Sequence, residues 1–155
     1  MADIFISYAR EDANVAQYFY NRLIAAGLSA FLDTASLEPG IPWSQELRGE
    51  LKAARTVLVL ASQKAVESAM VNQESGAAAL NGKKVIPVVW GDIDPAHLPG
   101  WLREYQALDL RGQNAGQMQM RVETFVQHLI NEKQQLQVIA AVTLVGLAAI
   151  AIIAK

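Results

Sequence analysis

The chain contains no cysteine. That excludes disulfide scaffolds, thiolate zinc sites, iron–sulfur clusters and cysteine nucleophiles together, and it suits a reducing compartment. Charge is sparse as well. Charged residues make up 18%, and 13 basic side chains against 15 acidic ones leave a formal net charge of −2. The chain is therefore neither a disordered acidic segment nor a polycation, and it carries no electrostatic footprint for nucleic acid. The start, Met1-Ala2-Asp3-Ile4, lacks the basic region and apolar core of a secretory signal. No G-x-S-x-G, G-x-x-x-x-G-K-[ST] or G-x-G-x-x-G occurs, so serine hydrolase, P-loop and dinucleotide-carrier readings lack a fingerprint. His97 and His128 stand apart from each other, one in a proline-bounded loop and one in the last helical period. Neither is expected to act as a ligand or base, and no metal site is expected.

What the chain has in excess is apolar residues, at 52% of 155, and they are unevenly placed. In Val138–Ala154 only Thr143 and Gly146 are not apolar; without that segment the remainder falls to about 48%, an ordinary globular value. From Gln134 to Ala154 no residue is charged. As a helix rising about 1.5 Å per residue, that stretch spans about 32 Å, close to the roughly 30 Å of a bilayer's hydrocarbon core. Two segments follow: a body over 1–133 and a C-terminal hydrophobic transmembrane helix over 134–155. The expectation is a single-pass anchor, with the lipid bilayer as partner of Val138–Ala154 and the body in the cytoplasm. A buried core helix or a partner-packed helix is the competing reading. Small residues at Ala140, Thr143, Gly146 and Ala149 offer a surface for close helix approach, without a true G-x-x-x-G.

The body alternates short β-type runs with helical periods. Strands are expected at 3–8, 28–32, 56–61, 84–90 and 106–110, with Pro87 placing the fourth near an edge or bulge. Helices are expected over 11–26 (Val15, Tyr18, Phe19, Leu23 and Ile24 apolar, Gly27 as the stop), 43–55, 64–80 and 117–137. The last has Met118, Val122, Phe125, Val126, Leu129 and Ile130 on one face and runs on into the tail. Five strands alternating with helices imply a parallel sheet covered on both faces, with ligands beyond the C-terminal strand ends. The site is thereby expected near Ser7–Asp12, Asp33–Trp43, Ser62–Glu74 and Gly91–Trp101.

The residues at those positions carry a family likeness. Asp3-Ile4-Phe5-Ile6-Ser7-Tyr8 before an acidic helix start resembles the first motif of TIR (Toll/interleukin-1 receptor) domains. Leu37-Glu38-Pro39-Gly40 looks like their BB loop. The segment from Ser62 through Ser68 to Glu74 is similar to the one after their third strand, with Met70-Val71 where Trp-Cys is frequent. Trp101 stands in the region of a third motif. The likeness covers about residues 2–133. It implies an α/β, flavodoxin-like five-stranded parallel sheet flanked by helices and, in bacteria, frequent cleavage of NAD+ in anti-phage defence. It further implies self-association through TIR domains and the BB loop (Glu38, Pro39, Gly40).

Cleaving the nicotinamide–ribose bond needs little acid catalysis, because nicotinamide departs neutral from a pyridinium. It needs negative charge beside an oxocarbenium-like ribose, which one carboxylate can supply. Glu74 falls where the family's catalytic glutamate lies; a solvated helix residue is its ordinary alternative. Glu46 and Glu67 do not match that position. Asp33 could bond a ribose hydroxyl or cap a turn. In the first loop Ser7, Tyr8 and Arg10 are substrate-binding candidates, a phenol to stack and a guanidinium for pyrophosphate. Trp43 could stack on a base or anchor packing, and Ser62 could bind substrate or end the third strand. NAD+ enters as substrate and no resident cofactor is expected. With no second domain in view, a separate sensor protein or signal is expected. Two alternatives of other classes stand beside the enzyme: a non-catalytic TIR–TIR adaptor, and a membrane-disrupting effector triggered through its TIR domain. A nucleoside deoxyribosyltransferase-like enzyme is a fourth.

Overall fold

Ile4, Phe5 and Ile6 leave no polar face, and the strand they form, β1 (Ile4–Ser7), is buried along its whole length. The same holds for β3 (Thr56–Leu60), and β4 (Lys84–Val89) is buried after its first residue. Strands apolar on both faces belong inside a parallel sheet covered by helices. The structure, a computed structural model, describes residues 2–32, 45–67, 71, 76 and 81–153. Its sheet is wholly parallel, in the order β2-β1-β3-β4-β5, with β2 at Ala30–Leu32 and β5 at Leu108–Asp109. Phe5 and Phe31, partners in register across β1 and β2, stack with ring centroids 5.6 Å apart.

Alternate strand residues feed two cores. Ile4, Ile6, Leu58, Leu60, Ile86 and Val88 face α1 (Ala13–Ala25) and the last helix, α4 (Ala115–Ile153). Phe5, Val57, Val59, Val85 and Val89 face α2 (Gln45–Ala53), through Leu47 and Leu51, and α3 (Gln63–Glu67), through Ala65. The expected helix over 64–80 extends outside the described residues beyond α3.

Four local details refine the expectation. The buried stripe of α1 is Ala16, Phe19 and Leu23, whereas Tyr18 and Ile24 are 41% and 44% exposed. Alanine at position 16 lets the helix lie close to the sheet and turns the two larger residues outward. Pro87 stands at a local edge of β4, as expected, yet is fully buried. It pairs in register with Val59 of β3, while β5 joins β4 only from Val88 onward, so one flank of β4 has no strand beside Pro87 and its missing N–H costs no ladder bond there. The fifth strand shrinks to two residues, and the last helix begins at Ala115 rather than 117.

Helix α4 runs antiparallel to the strands. Near its start Arg121 donates to the Asp109 carbonyl at the end of β5; a few turns later Lys133 lies 3.0 Å from the Asp3 carboxylate, just before β1. Val122, Val126 and Leu129 are its buried residues against the sheet, and Met118, Phe125 and Ile130 are partly buried beside them. Beyond that, the helix continues unbroken to Ile153, and every residue from Gln134 to Ala149 is exposed. Among the described residues no helix is long and apolar enough to cross a membrane. The apolar run expected to do so, Val138–Ala154, ends outside them.

Candidate functional site at the switch point of the sheet

From β1 the chain moves to β2 on one side, then crosses to β3 on the other. The helices that follow β1 and β3 therefore pack on opposite faces of the sheet, and a doubly wound sheet binds its ligands in the crevice at such a switch point. Ser7, the last residue of β1, lies opposite Val59 and is 1% exposed. Tyr8 packs partly buried against the α1 and α4 side, and Ala9 is buried against the α2 and α3 side. A tight turn over Arg10–Asp12 follows, closed by the Asp12 N–H donating to the Ala9 carbonyl at 2.8 Å. Arg10 and Glu11 are exposed and Asp12 is half-buried.

Across the crevice, Ala61 is buried and donates to the Val88 carbonyl at 2.8 Å, which fixes the exit of β3. Ser62 then caps α3, its hydroxyl oxygen accepting from the Ala65 N–H at 3.1 Å. The same hydroxyl donates to the Asp12 carboxylate in a short hydrogen bond. Burial lifts the Asp12 carboxyl above the ordinary carboxylate range; the Ser62 hydroxyl works against that lift and the charge of Glu11 adds to it.

Of the residues singled out by the sequence, Ser7, Tyr8, Arg10 and Ser62 fall in this region. Ser62 is joined to the first loop, while buried Ser7 and exposed Arg10 do not share one surface. Asp33, Trp43, Glu74 and the loop residues Glu38, Pro39 and Gly40 lie outside the described residues. Asp12 closes the expected Ser7–Asp12 stretch, but nothing local in the sequence marks it out as a site residue. The signal for it is topological: in this strand order the residues after strands 1 and 3 meet, so an acid in one loop and a hydroxyl in the other are potential partners.

A second hollow, about 370 Å³ and mainly apolar, lies at the β4–β5 end, lined by Val89, Leu98, Leu102, Tyr105, Asp109 and Arg111 among others. Its carboxylate, Asp109, is engaged by Arg111 at 2.7 and 2.9 Å, and Arg111 also donates to the Ile93 carbonyl. The Arg111 guanidinium holds the Asp109 carboxyl below its ordinary range. The charged groups of this hollow are thus paired with one another. No cluster of three or more metal-ligating side chains occurs among the described residues. His97 pairs loosely with Asp94 at 4.0 Å, and His128 lies 3.0 Å from Glu132.

The five-stranded parallel sheet, its order β2-β1-β3-β4-β5 and the two helical layers define a flavodoxin-like α/β domain. The chain belongs to the TIR domain family, whose model matches residues 4–126. It is 28% identical over 98 residues to a probable 2′ cyclic ADP-D-ribose synthase of Brachypodium distachyon, covering 62% of this chain and 43% of that protein. The chain thus matches less than half the length of that relative. Among solved structures, the TIR domains of the activated Roq1 resistosome superpose with a TM-score of 0.65 at 19% identity, covering 83% of this chain and 99% of that one. The TIR domain of a Toll-related receptor from Hydra magnipapillata gives 0.59 at 19% identity, over 71% and 85% of the two chains. A TIR-STING receptor from C. gigas gives 0.58 at 16% identity, over 79% and 39%. At these identities the structural likeness speaks for the fold alone.

Proposed function

We propose that this TIR domain cleaves the nicotinamide–ribose bond of NAD+. The observation that carries the reading is the relationship to a protein named as a probable 2′ cyclic ADP-D-ribose synthase; cyclic ADP-ribose forms from NAD+ by loss of nicotinamide. The switch point between β1 and β3, where the half-buried Asp12 and Ser62 meet, supports this reading as the position at which open parallel sheets bind ligands. Glu74 is the proposed catalytic carboxylate. Its charge steadies the cationic ribose as the C–N bond breaks and the bonding pair leaves with the pyridine nitrogen, making nicotinamide neutral. Water then adds to the ribose carbon and releases one proton, giving ADP-ribose, or a hydroxyl of the same molecule adds and closes a ring. Tyr8, Arg10, Asp33, Trp43 and Ser62 are the proposed substrate contacts, and Ser7, buried at the end of β1, is proposed to position the loop that carries Tyr8 and Arg10.

Activity in this reading depends on assembly between TIR domains through the BB loop, and the tail holds the domain at the cytoplasmic face of a membrane. Support for the tail comes from Val138, Ile139, Val142, Leu144, Val145 and Leu147, each 59–71% exposed on an unbroken helix. Those positions span all sides of the helix, so one partner face cannot cover them, whereas lipid can. A role in anti-phage signalling, with a separate sensor, completes the proposal.

The test is chromatography of NAD+ after incubation with clustered, purified full-length protein. Loss of NAD+ that Glu74→Gln abolishes supports the enzyme. NAD+ left intact by the clustered wild type would refute it and favour the adaptor reading that Met70-Val71, in place of Trp-Cys, leaves open.

A further inference from the structure

The exit point of α4 has a consequence for how the body sits. Lys133 meets Asp3, which precedes β1, and the Glu132 carboxylate lies 2.5 Å from the ammonium of Lys84, the first residue of β4. The helix therefore leaves the body at the edge where the strands begin, opposite the edge that carries the crevice. Only Gln134, Gln135, Leu136 and Gln137 separate Lys133 from Val138. In an unbroken helix those residues add about 6–8 Å, so the base of the body cannot lie far from whatever surrounds Val138.

That base is cationic. Lys52, Arg55, Lys83, Lys84 and Lys133 gather there against Asp3, Glu50 and Glu132, an excess of positive charge in a chain whose net charge is negative. The cluster is knit together. Lys83 donates to the carbonyls of Lys52 and Ala54 at 2.7 and 2.6 Å, Lys84 N–H to the Arg55 carbonyl, and Arg55 and Thr56 N–H to the Asp3 carbonyl. Lys52 and Lys83 have no carboxylate partner among the described residues, and the Arg55 guanidinium reaches Asp3 only at 3.5 Å. Lys52, Arg55 and Lys84 are exposed. The loop after β4, on the crevice edge, has the opposite balance, with Asp92, Asp94 and Glu104 against Arg103.

We infer that this basic edge docks on the headgroups of an anionic phospholipid bilayer, standing the body upright with the crevice turned away from the membrane. The inference rests on the anchoring reading of the tail. Charge complementarity and continuity with the exposed apolar helix select the occupant, because cations within a Debye length of an anionic leaflet are attracted to it. Upright docking leaves the crevice open to a soluble dinucleotide and lets neighbouring bodies meet side by side.

Because the chain lacks cysteine, single labels can be placed cleanly in the full-length protein. Ala25, exposed at the end of α1 on the basic edge, and Ala96, exposed beyond β4 on the crevice edge, are suited to substitution by cysteine. The protein is reconstituted in phosphatidylcholine vesicles with or without one-third phosphatidylserine, and each fluorophore is read against a headgroup-attached quencher. Several-fold stronger quenching at 25 than at 96 is expected in anionic vesicles, shrinking in neutral ones. A Lys52→Glu/Arg55→Glu variant in anionic vesicles is expected to match the neutral-lipid value. Protein that floats with vesicles but shows equal quenching at both sites, or a ratio indifferent to lipid charge, overturns the docking and leaves the anchor standing. Protein that floats with neither vesicle overturns both.

Discussion

The Ser62 hydroxyl donates to the Asp12 carboxylate while accepting from the Ala65 N–H, so one side chain joins the loop after β1 to the first turn of α3. Replacing Ser62 with Ala removes a helix cap, worth about 1 kcal/mol, and a hydrogen bond to a half-buried carboxylate, worth about as much again. A loss of about 2 kcal/mol is expected for Ser62→Ala in urea unfolding at neutral pH. Asp12→Asn keeps an acceptor for the hydroxyl and is expected to cost less than Ser62→Ala. Equal losses from the two would show that the contact between Asp12 and Ser62, and not the cap, carries the effect.

The two shifted carboxylates near the strand ends act on stability with opposite sign. Burial raises Asp12, so the folded state holds its proton more tightly than the unfolded chain. Its contribution is present below about 3.8, the ordinary value of an aspartate, and is lost as pH rises through the raised value. Asp109 is lowered, chiefly by its hydrogen bonds to Arg111, so its contribution is present above that ordinary value and is lost as pH falls through the lowered one. Asp109→Asn is therefore expected to lower stability at pH 7 and converge with wild type in strong acid. Asp12→Asn is expected to flatten the decline that wild type shows on leaving acid. Denaturant midpoints measured across the acid range check both signs.

Much of the architecture was legible because buried parallel strands advertise themselves. Val57-Leu58-Val59-Leu60 has no polar face to give water, and the structure buries all four residues. The register of α1 was less legible, since an apolar count weights Tyr18 and Ile24 above Ala16, whereas close packing on a sheet favours the small side chain. The Asp12–Ser62 contact joins residues 50 apart in sequence and exists only because β1 and β3 are neighbours. No local pattern encodes such a pair. The same is true of Lys133 with Asp3, which sets where the last helix leaves the body.

That register yields its own prediction. Phe19 is 1% exposed within the α1 and α4 core, so Phe19→Ala is expected to cost about 3–5 kcal/mol. Tyr18, 41% exposed, touches the edge of the Phe19 ring at 5.8 Å between centroids. Tyr18→Ala is expected to cost about 1 kcal/mol or less, mainly through that ring contact. Paired unfolding curves for the two variants decide which face of α1 is buried.

Gly27 ends α1 with φ at +75°, and its N–H donates to the Ile24 carbonyl at 3.0 Å. An added Cβ would meet nothing within 4 Å, so the cost of a side chain there is conformational rather than steric. Gly27→Ala is expected to lose about 1–2 kcal/mol, the cost of an L-residue in the left-handed region, and Gly27→Asn less. A loss for Asn as large as that for Ala would instead place the penalty in contacts with β2.

If assembly completes the site, catalysis must depend on how densely the chains are packed and not only on their number. Confinement to a bilayer raises effective concentration without any new contact. At constant total protein, vesicles holding more chains per unit area are therefore expected to consume NAD+ faster per molecule. Glu74→Gln is expected to remain silent at every density, while a substitution at the loop turn, Pro39→Ala, weakens the dependence on density by loosening the contact between neighbours. Turnover per molecule that stays flat from sparse to crowded vesicles would mean that each domain carries a finished site, and the role assigned to the loop would then fall.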